Sequence, residues 1–321
     1  IVHAPRTMNR GSVRALPVLL LTAGIVASLT SCATAPFTQT CTPTVHSGDA
    51  SDVVTVTGTF GSKPTVDFPT PIVTKKVERT QALDGTGLVV ADGDVVVIKY
   101  TAYNGATGDI VGQGDYSGPG QPLTLGKSVN KAVSEGLDCA RVGSRVVIAS
   151  SAANAGQDPA KFPDAIVFVI DIVDAYPGKA WGTPQIPQAG MPSVVTAPNG
   201  APGVTVPKEN PPSTLAVNAL RVANGTTVKA GDKVVVKYTA LLWSDSSVFD
   251  STWTKGQAKI VTLTPSDTVT KGFVKGLVGQ TVGSQVLIVA PPSDGYGSAG
   301  SAGVPAGSTL IYVVDILGVD G

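Results

Sequence analysis

The side chains that could act on a bound molecule are mostly aromatic and lie in the second half of the chain. Tyr238, Tyr296 and Tyr312 are accompanied there by Phe249 and by one carboxylate, Asp250. Clustered rings would offer a ligand apolar burial. By residue type alone, strand aromatics are more commonly core residues, and Asp250 could equally belong to a turn.

Several kinds of chemistry are argued against by composition. The chain of 321 residues has two histidines, His3 and His46, so a His-based metal site is not expected and neither repeat can hold a Ser-His-Asp triad. No CxxC motif is present. Lys and Arg together number 23, as do Asp and Glu, and nothing indicates the basic domain or stripe of a nucleic-acid-binding protein.

One stretch of the sequence occurs twice. "GDVVVIKYTA" begins at Gly93 and "GDKVVVKYTA" begins at Gly231, and eight of the ten positions are identical. Similarity continues in aligned segments that begin at Gly136 and Gly276, and at Ala165 and Thr309. Because it extends over this length, we interpret the chain as a duplicated domain.

Each repeat reads as several strands and one short helix. Runs such as "KVVVKYTALLW" and "TLIYVVDIL" are rich in β-branched residues and bounded by Gly, Pro and Asp. Val269, Phe273 and Leu277 follow a helical period within 267–280, and the first repeat has a counterpart from Ser128. The pattern predicts an α+β domain whose curved antiparallel sheet packs its apolar face on that helix.

The second repeat resembles a known family over residues 225–319. "VFDST", "KGFVKGL", "VGSQ", "PPSDGYG" and "VPAGSTLIYVVDILGV" occur there in the order found in FKBP-type peptidyl-prolyl cis-trans isomerases. The resemblance implies two FKBP-like domains, each a curved antiparallel sheet around one short helix. It implies activity on prolyl-containing polypeptides, and macrolides as further ligands, without a metal or an organic cofactor.

The resemblance also assigns site residues. The catalytic set it implies is Tyr238, Phe249, Asp250, Phe273, Tyr296 and Tyr312. Val269 and Thr270 match an apolar pair before the helix, and we include Trp253 as a third substrate-binding residue. The sequence departs from the family pattern at three points: Phe273 replaces a tryptophan, Thr270 is polar, and Lys259 or Ile260 stands where an aromatic is expected.

The first repeat keeps the scaffold but loses most of these side chains. Tyr100 and Phe168 match Tyr238 and Tyr312, whereas the Phe-Asp pair becomes approximately Val111 and Gly112. The helix aromatic becomes Val133, and "AGQDPAKFPDA" replaces the "GYG" tyrosine. We therefore expect a binding or spacing module in the first repeat and the isomerase in the second.

The N-terminal segment has the features of a secretory signal peptide. Arg10 and Arg14 precede an apolar stretch, Met8 is the better initiator, and "LTSC" ends at Cys32 like a bacterial lipobox. We expect cleavage before a lipidated Cys32 and an extracytoplasmic protein held at the cell membrane by its lipid. A tandem pair of domains behind a lipobox resembles exported bacterial relatives. A secreted protein with a coincidental cysteine is the alternative.

The remaining cysteines and the composition shifts set the expected organisation. Cys41 and Cys139 would form a disulfide in an oxidising compartment, with two unpaired thiols as the alternative. We expect a signal peptide over 1–32, a tether over 33–60, a degenerate domain over 61–176, a Pro/Gly-rich linker over 177–213 and an isomerase domain over 214–321. Two other functions remain open: a non-catalytic chaperone or peptide-binding lipoprotein, and a structural envelope lipoprotein.

Overall fold

The computed structural model describes residues 41–320, so the predicted signal peptide and Cys32 lie outside the described residues. The first half contains two helices and eight strands in the following order: α1 (Asp49–Asp52), β1 (Thr55–Thr57), β2 (Thr65–Asp67), β3 (Val77–Leu83), β4 (Val95–Asn104), β5 (Ile110–Gln113), β6 (Gln121–Thr124), α2 (Lys131–Leu137), β7 (Arg145–Ser150) and β8 (Ile166–Tyr176). Within 41–320 no helix is long and apolar enough to cross a membrane.

The second half follows with two helices and nine strands. They are β9 (Thr183–Pro184), β10 (Ser193–Thr196), β11 (Pro202–Thr205), β12 (Ala216–Val222), β13 (Lys233–Leu242), β14 (Val248–Ser251), α3 (Thr252–Lys255), β15 (Lys259–Thr262), α4 (Lys271–Leu277), β16 (Gln285–Ala290) and β17 (Leu310–Asp320).

The two large sheets share one strand order. The first runs β5-β4-β8-β7-β3, and the second runs β14-β13-β17-β16-β12 with β9 added at its edge. In each sheet a further short strand pairs with the long second strand: β6 with β4, and β15 with β13. All of these pairs are antiparallel. Residues at equivalent positions of the two repeats therefore have equivalent strand-pairing partners, as the repeated sequence predicts.

One helix packs on the concave face of each sheet because a glycine lets it approach closely. A Cβ atom at Gly136 would overlap Ile148 on β7, and one at Gly276 would overlap Ile288 on β16. Leu137 and Leu277, which follow these glycines, are fully buried. Each helix thus closes a separate apolar core against its own sheet.

A short hairpin covers the outer face of each sheet. The β1–β2 hairpin and the residues beside it pack against Val147 and Val169, and the β10–β11 hairpin packs against Leu287 and Val313. The structure joins Cys41 to Cys139, which links the segment before the first hairpin to the end of α2. The predicted tether and linker thus contain packed structure, because their apolar residues cover sheet faces that would otherwise meet water.

The two halves share a small apolar cluster. Val95, Val97 and Tyr176 from the first half pack with Val235 and Leu317 from the second, and both sheets belong to one compact unit. A Cβ atom at position 318 would overlap the Tyr176 ring, so Gly318 permits this approach.

Candidate functional site

The concave face of the second sheet holds a pocket that begins with the alternation of β13. Tyr238 and Ala240 are two residues apart, so their side chains lie on the same face of the sheet, and both line the pocket. Strand β14 pairs with β13 so that Asp250 lies opposite Ala240, which brings Phe249 and Asp250 to the rim. Strand pairing therefore unites residues that are distant in sequence.

Three further elements complete the enclosure. Helix α4 supplies Phe273, its N-cap region supplies Val269 and Thr270, the turn at 291–297 supplies Tyr296, and β17 supplies Tyr312. Thr270 caps the helix by accepting a hydrogen bond from the Phe273 N–H at 3.2 Å. This cap fixes the first turn of α4 and with it the position of the Phe273 ring.

The rings form an edge-to-face cage. The Phe273 centroid lies 5.9 Å from that of Tyr238 and 5.4 Å from that of Tyr312, and the Phe249 centroid lies 6.3 Å from that of Tyr312. Interplanar angles of 71–81° place ring edges against ring faces, a favourable arrangement. The empty volume between the lining residues is about 350 Å³.

Asp250 is held by two donors at the rim. The Tyr238 hydroxyl donates to Oδ2 at 2.5 Å, and the Lys255 ammonium lies 2.6 Å from Oδ1. Burial acts to raise the pKa of Asp250, but the hydrogen bonds from Lys255 and Tyr238 outweigh it, so the pKa lies below its ordinary value. Burial raises the pKa of Tyr238 strongly, so at neutral pH a carboxylate accepts from a neutral phenol.

Two other hydroxyl sites line the pocket. Within residues 41–320, no protein group hydrogen-bonds the Tyr296 hydroxyl, which leaves it available to a ligand. The hydroxyls of Thr270 and Tyr312 lie 3.2 Å apart and both side chains are buried. Thr270, which is polar where the family has an apolar residue, thus pairs its hydroxyl with that of Tyr312.

Eight of the nine predicted side chains line this pocket, and Trp253 does not. The Trp253 ring instead lies beside Gly200, with the Lys237 ammonium 4.9 Å from its centroid. The short helix α3 turns the Trp253 indole toward the segment between the two halves and away from the pocket lining, and its role in substrate binding stays a prediction. Trp243 packs in the outer-face cluster and donates from Nε1 to the Glu209 carbonyl at 3.1 Å.

The sequence reasoning missed some lining residues. Ala240 and Val261 lie two positions from Tyr238 and Lys259, so strand alternation could have revealed both. Of the two candidates for the altered wall, Lys259 is the one that lines the pocket. Lys255, the partner of Asp250, and Thr268 carried no usable sequence signal.

Among the described residues, one group of side chains lies close enough together to hold a metal ion. These are Cys41, Asp138 and Cys139. The two sulfur atoms are bonded to each other, so they cannot bind a metal as thiolates.

The first half has a different cleft at the equivalent place. Ladder register puts Gly112 at the position of Asp250, Val111 at that of Phe249 and Gln121 at that of Lys259. Val133 and Asn130 on α2 correspond to Phe273 and Thr270 on α4. Two adjoining cavities with empty volumes of about 600 and 870 Å³ replace the small pocket.

Comparison with known proteins addresses the second half. The family model described as FKBP-type peptidyl-prolyl cis-trans isomerase matches residues 224–317, which contain every lining residue of the pocket. A crystal structure of FkpA from Escherichia coli aligns with 41% of this chain and 52% of its own at 30% identity, with a TM-score of 0.31.

Two curated relatives are covered over most of their length. FK506-binding protein 2 from Aspergillus oryzae is 39% identical over 95 residues, which are 30% of this chain and 69% of that protein. An FK506-binding protein from Streptomyces anulatus is 30% identical over 120 residues, which are 37% of this chain and 96% of that protein. The chain therefore belongs to the family of FKBP-type peptidyl-prolyl cis-trans isomerases, enzymes that interconvert the cis and trans forms of the bond before proline.

Proposed function

We propose that the pocket of the second half is the isomerase site and that it acts on X–Pro bonds of polypeptides. The observation that carries this proposal is the aromatic cage, in which Tyr238, Phe273 and Tyr312 surround an empty volume of about 350 Å³. A prolyl ring is compact and apolar, so it suits a small cage of ring faces and edges.

The reaction needs no nucleophile and no proton transfer. Rotation about the peptide bond must overcome a barrier of about 18–20 kcal/mol, because resonance gives the C–N bond partial double-bond character. A twisted amide has lost that resonance, so a pocket that binds it better than the planar amide accelerates rotation. A rate gain of about ten-thousand-fold needs only ~5.5 kcal/mol of such preference.

The geometry suggests a role for each polar group. Asp250 accepts from the Tyr238 hydroxyl and holds that ring in its orientation against Phe273. The Tyr296 hydroxyl, which has no protein partner within the described residues, would anchor the substrate backbone. The same pocket would accept FK506-like macrolides, since both relatives are named FK506-binding proteins.

We also propose that the protein works outside the cytoplasm, anchored through Cys32, and assists the folding of exported proteins. The Cys41–Cys139 disulfide supports this, because such bonds persist in oxidising compartments. Replacing Cys32 with Ser should release the protein from the membrane fraction and abolish incorporation of labelled fatty acid. Unchanged fractionation and labelling would contradict the anchor.

Protease-free isomerisation kinetics on a short X–Pro peptide test the catalytic assignment. Phe249→Ala should lower kcat/KM by at least about tenfold, since it removes one wall of the cage. Val111→Ala is the matched control, because Val111 occupies the same ladder position in the first half. It should leave turnover unchanged.

The outcomes separate the candidate functions. Loss in Phe249→Ala alone supports a site in the second half, whereas equal loss in both variants contradicts that placement. If the wild-type protein binds the peptide without turning it over, the non-catalytic chaperone becomes the better description. Lys259 on the pocket wall is the observation that favours this second candidate, because a cation stands where the family has an aromatic.

A further inference from the structure

The first half contains an open apolar groove to which the isomerase reaction assigns no role. Its two adjoining cavities share the lining residues Tyr100, Asn130 and Phe168, and we refer to the two together as the groove. Their empty volumes of about 600 and 870 Å³ exceed the 350 Å³ of the pocket in the second half. The cleft of the first half is therefore more open than the pocket of the second half.

The groove is wide because three side chains of the isomerase pocket are replaced by smaller ones. Val133 replaces the Phe273 ring, Val111 replaces Phe249, and Gly112 leaves the position of Asp250 without a side chain. Tyr100 consequently lacks the carboxylate that binds Tyr238. Within residues 41–320 its hydroxyl has no hydrogen-bonding partner.

The groove also carries amide groups that are free to bind a peptide backbone. Asn130 uses its Oδ1 to accept from the Val133 N–H at 2.9 Å, while its side-chain NH₂ has no partner within the described residues. Gln121 and Gln157 line the same groove and make no side-chain hydrogen bonds there. The one carboxylate of the lining, Asp164, accepts from the Asn104 amide at 3.0 Å. These groups suit an uncharged ligand.

Apolar side chains stand exposed at the rim. Val111 and Phe162 both line the groove and retain 56% and 57% of their surface in contact with solvent. Ile110 beside them is also exposed. Exposed apolar side chains that cluster at a groove are typical of interaction sites.

A direct contact between the halves joins a segment next to the groove to a segment next to the isomerase pocket. Gly256 lies so close to Ser128 that an ideal Cβ on the glycine would be 2.6 Å from the serine Cβ. Gly256 follows Lys255, which binds Asp250 at the pocket, and Ser128 precedes Val129 and Asn130, which line the groove. Segments next to each lining therefore touch where the two halves pack.

From these observations, the geometry points to a second polypeptide site: the groove of the first half binds an extended, uncharged apolar segment of the same client whose X–Pro bond enters the second half. The inference rests on the proposed isomerase function. Binding at two linked sites raises the effective concentration of the prolyl bond at the pocket. It also explains why the duplicated fold retains an open cleft after losing the isomerase side chains.

The test uses the full chain and a labelled, uncharged peptide that alternates Phe or Leu with Ser and contains no proline. A length of ~12 residues spans roughly 40 Å when extended. Fluorescence anisotropy would measure its affinity for wild type and for Val111→Asp/Phe162→Asp. We expect affinity to fall about tenfold or more, because two apolar contacts are replaced by charges.

Matched controls locate the binding. Ile186→Asp/Val195→Asp alters two side chains that are 89% and 74% exposed and do not line the groove, so it should leave affinity unchanged. Phe249→Ala should also leave it unchanged. An affinity that is insensitive to Val111→Asp/Phe162→Asp, or that is lost in Phe249→Ala, would overturn the inference.

A linked substrate distinguishes this inference from the proposed function. Fusing the apolar segment to a short X–Pro peptide should lower KM about tenfold in wild type, as expected for bivalent binding, and not in Val111→Asp/Phe162→Asp. If wild type turned over neither substrate, the proposed isomerase function would be contradicted. The anisotropy measurement would still show whether the groove binds the apolar peptide. Equal KM values for the two substrates in an active wild type would refute cooperation between the sites.

Discussion

The two clefts occupy the same place on the same strand order, yet one is a closed aromatic cage and the other an open groove. Both helices keep a polar N-cap, Asn130 or Thr270, and both keep the glycine that lets the helix approach its sheet. The residues between them, Val133 and Phe273, differ in size. The fold and the lining of the cleft can therefore vary independently. The fold depends on the helix N-caps, the helix glycines and the strand pairing, and these are kept in both halves.

A second difference lies in the partners of a buried carboxylate that both sheets have at the same ladder position. In the first half, the Arg145 guanidinium donates to the carbonyls of Gly58 and Thr59 and binds Asp171, at 2.6 Å from Nε to Oδ1. In the second half, Gln285 takes the place of Arg145 and donates to Asp315 at 2.8 Å. Asp315 also accepts from the Ala180 N–H. At this shared buried position, Asp171 accepts from a cation and from the Gly61 N–H, whereas Asp315 accepts from two amides.

Replacing Arg145, the partner of Asp171, or Gln285, the partner of Asp315, would sharpen this comparison. We expect Arg145→Ala to cause the largest loss of stability. It leaves Asp171 as a buried charge without its cation and frees the hairpin carbonyls, which should cost about 3–5 kcal/mol of unfolding free energy. Gln285→Ala removes one neutral donor and should cost about 1–3 kcal/mol. Urea unfolding of both variants measures the difference, and equal losses would show that the ion pair adds nothing beyond an amide.

The next effect concerns the covalent link that the first half alone possesses among the described residues. Cys41→Ser/Cys139→Ser opens a bond between residues 98 apart in sequence and should cost about 2–4 kcal/mol, chiefly by freeing the unfolded chain. Isomerase activity should persist below the unfolding transition, since the pocket lies in the other half. Loss of turnover in the folded variant would show instead that the two halves are energetically coupled.

A smaller effect should appear as a pH dependence that originates in the second half. Burial raises the pKa of Asp315 to about 6, with the bonds from Ala180 and Gln285 acting in the opposite direction. Between its ordinary value of 3.8 and about 6 the folded protein holds a proton that the unfolded chain has released. The contribution of Asp315 to stability is therefore greatest below pH 4 and decreases as the pH rises to about 6.

The size of that decrease can be measured directly. The shift sets a ceiling of about 3 kcal/mol, and we expect a change of about 1–2 kcal/mol. Unfolding free energies at pH 4, 5, 6 and 7 would be compared between wild type and Asp315→Asn, which cannot titrate. Burial also raises the pKa of Asp94 to about 6, so Asp94 adds to the same decrease in stability as the pH rises. Asp94→Asn measures that second contribution separately. A constant difference between wild type and Asp315→Asn across this range would contradict the assignment.

Much of this architecture could be predicted from the sequence, because it depends on repeated local signals. The period of Val269, Phe273 and Leu277 predicted a helix, which the structure has over Lys271–Leu277. Strand alternation predicted an antiparallel sheet, which the structure has, while the family resemblance implied a pocket that includes Tyr238, Phe249 and Tyr312, and these three residues line one pocket. The helix and sheet predictions succeed because neighbours on one face of a strand or helix follow from spacing alone.

The remainder depends on contacts between segments that no spacing encodes. The orientation of Trp253 follows from the approach of Gly200, which lies in a segment predicted to be a linker. The partnership of Lys255 with Asp250 depends on the short helix α3 and its left-handed Gly256. The contact between Gly256 and Ser128 arises only when the halves pack, so the sequence could not predict it.

The smallest expected effect compares the two helix caps. Asn130→Ala removes only a cap and should cost about 1 kcal/mol. Thr270→Val also removes the partner of the buried Tyr312 hydroxyl, 3.2 Å away, so its loss should exceed that of Asn130→Ala by about 0.5–1 kcal/mol. Thr270→Ser keeps a hydroxyl and should lose less unfolding free energy than Thr270→Val. Adding Tyr312→Phe to Thr270→Val removes the unpaired hydroxyl and should recover the additional loss of about 0.5–1 kcal/mol. If Tyr312→Phe restores nothing, the hydroxyl pair does not stabilise the pocket, and the two caps differ only in residue type.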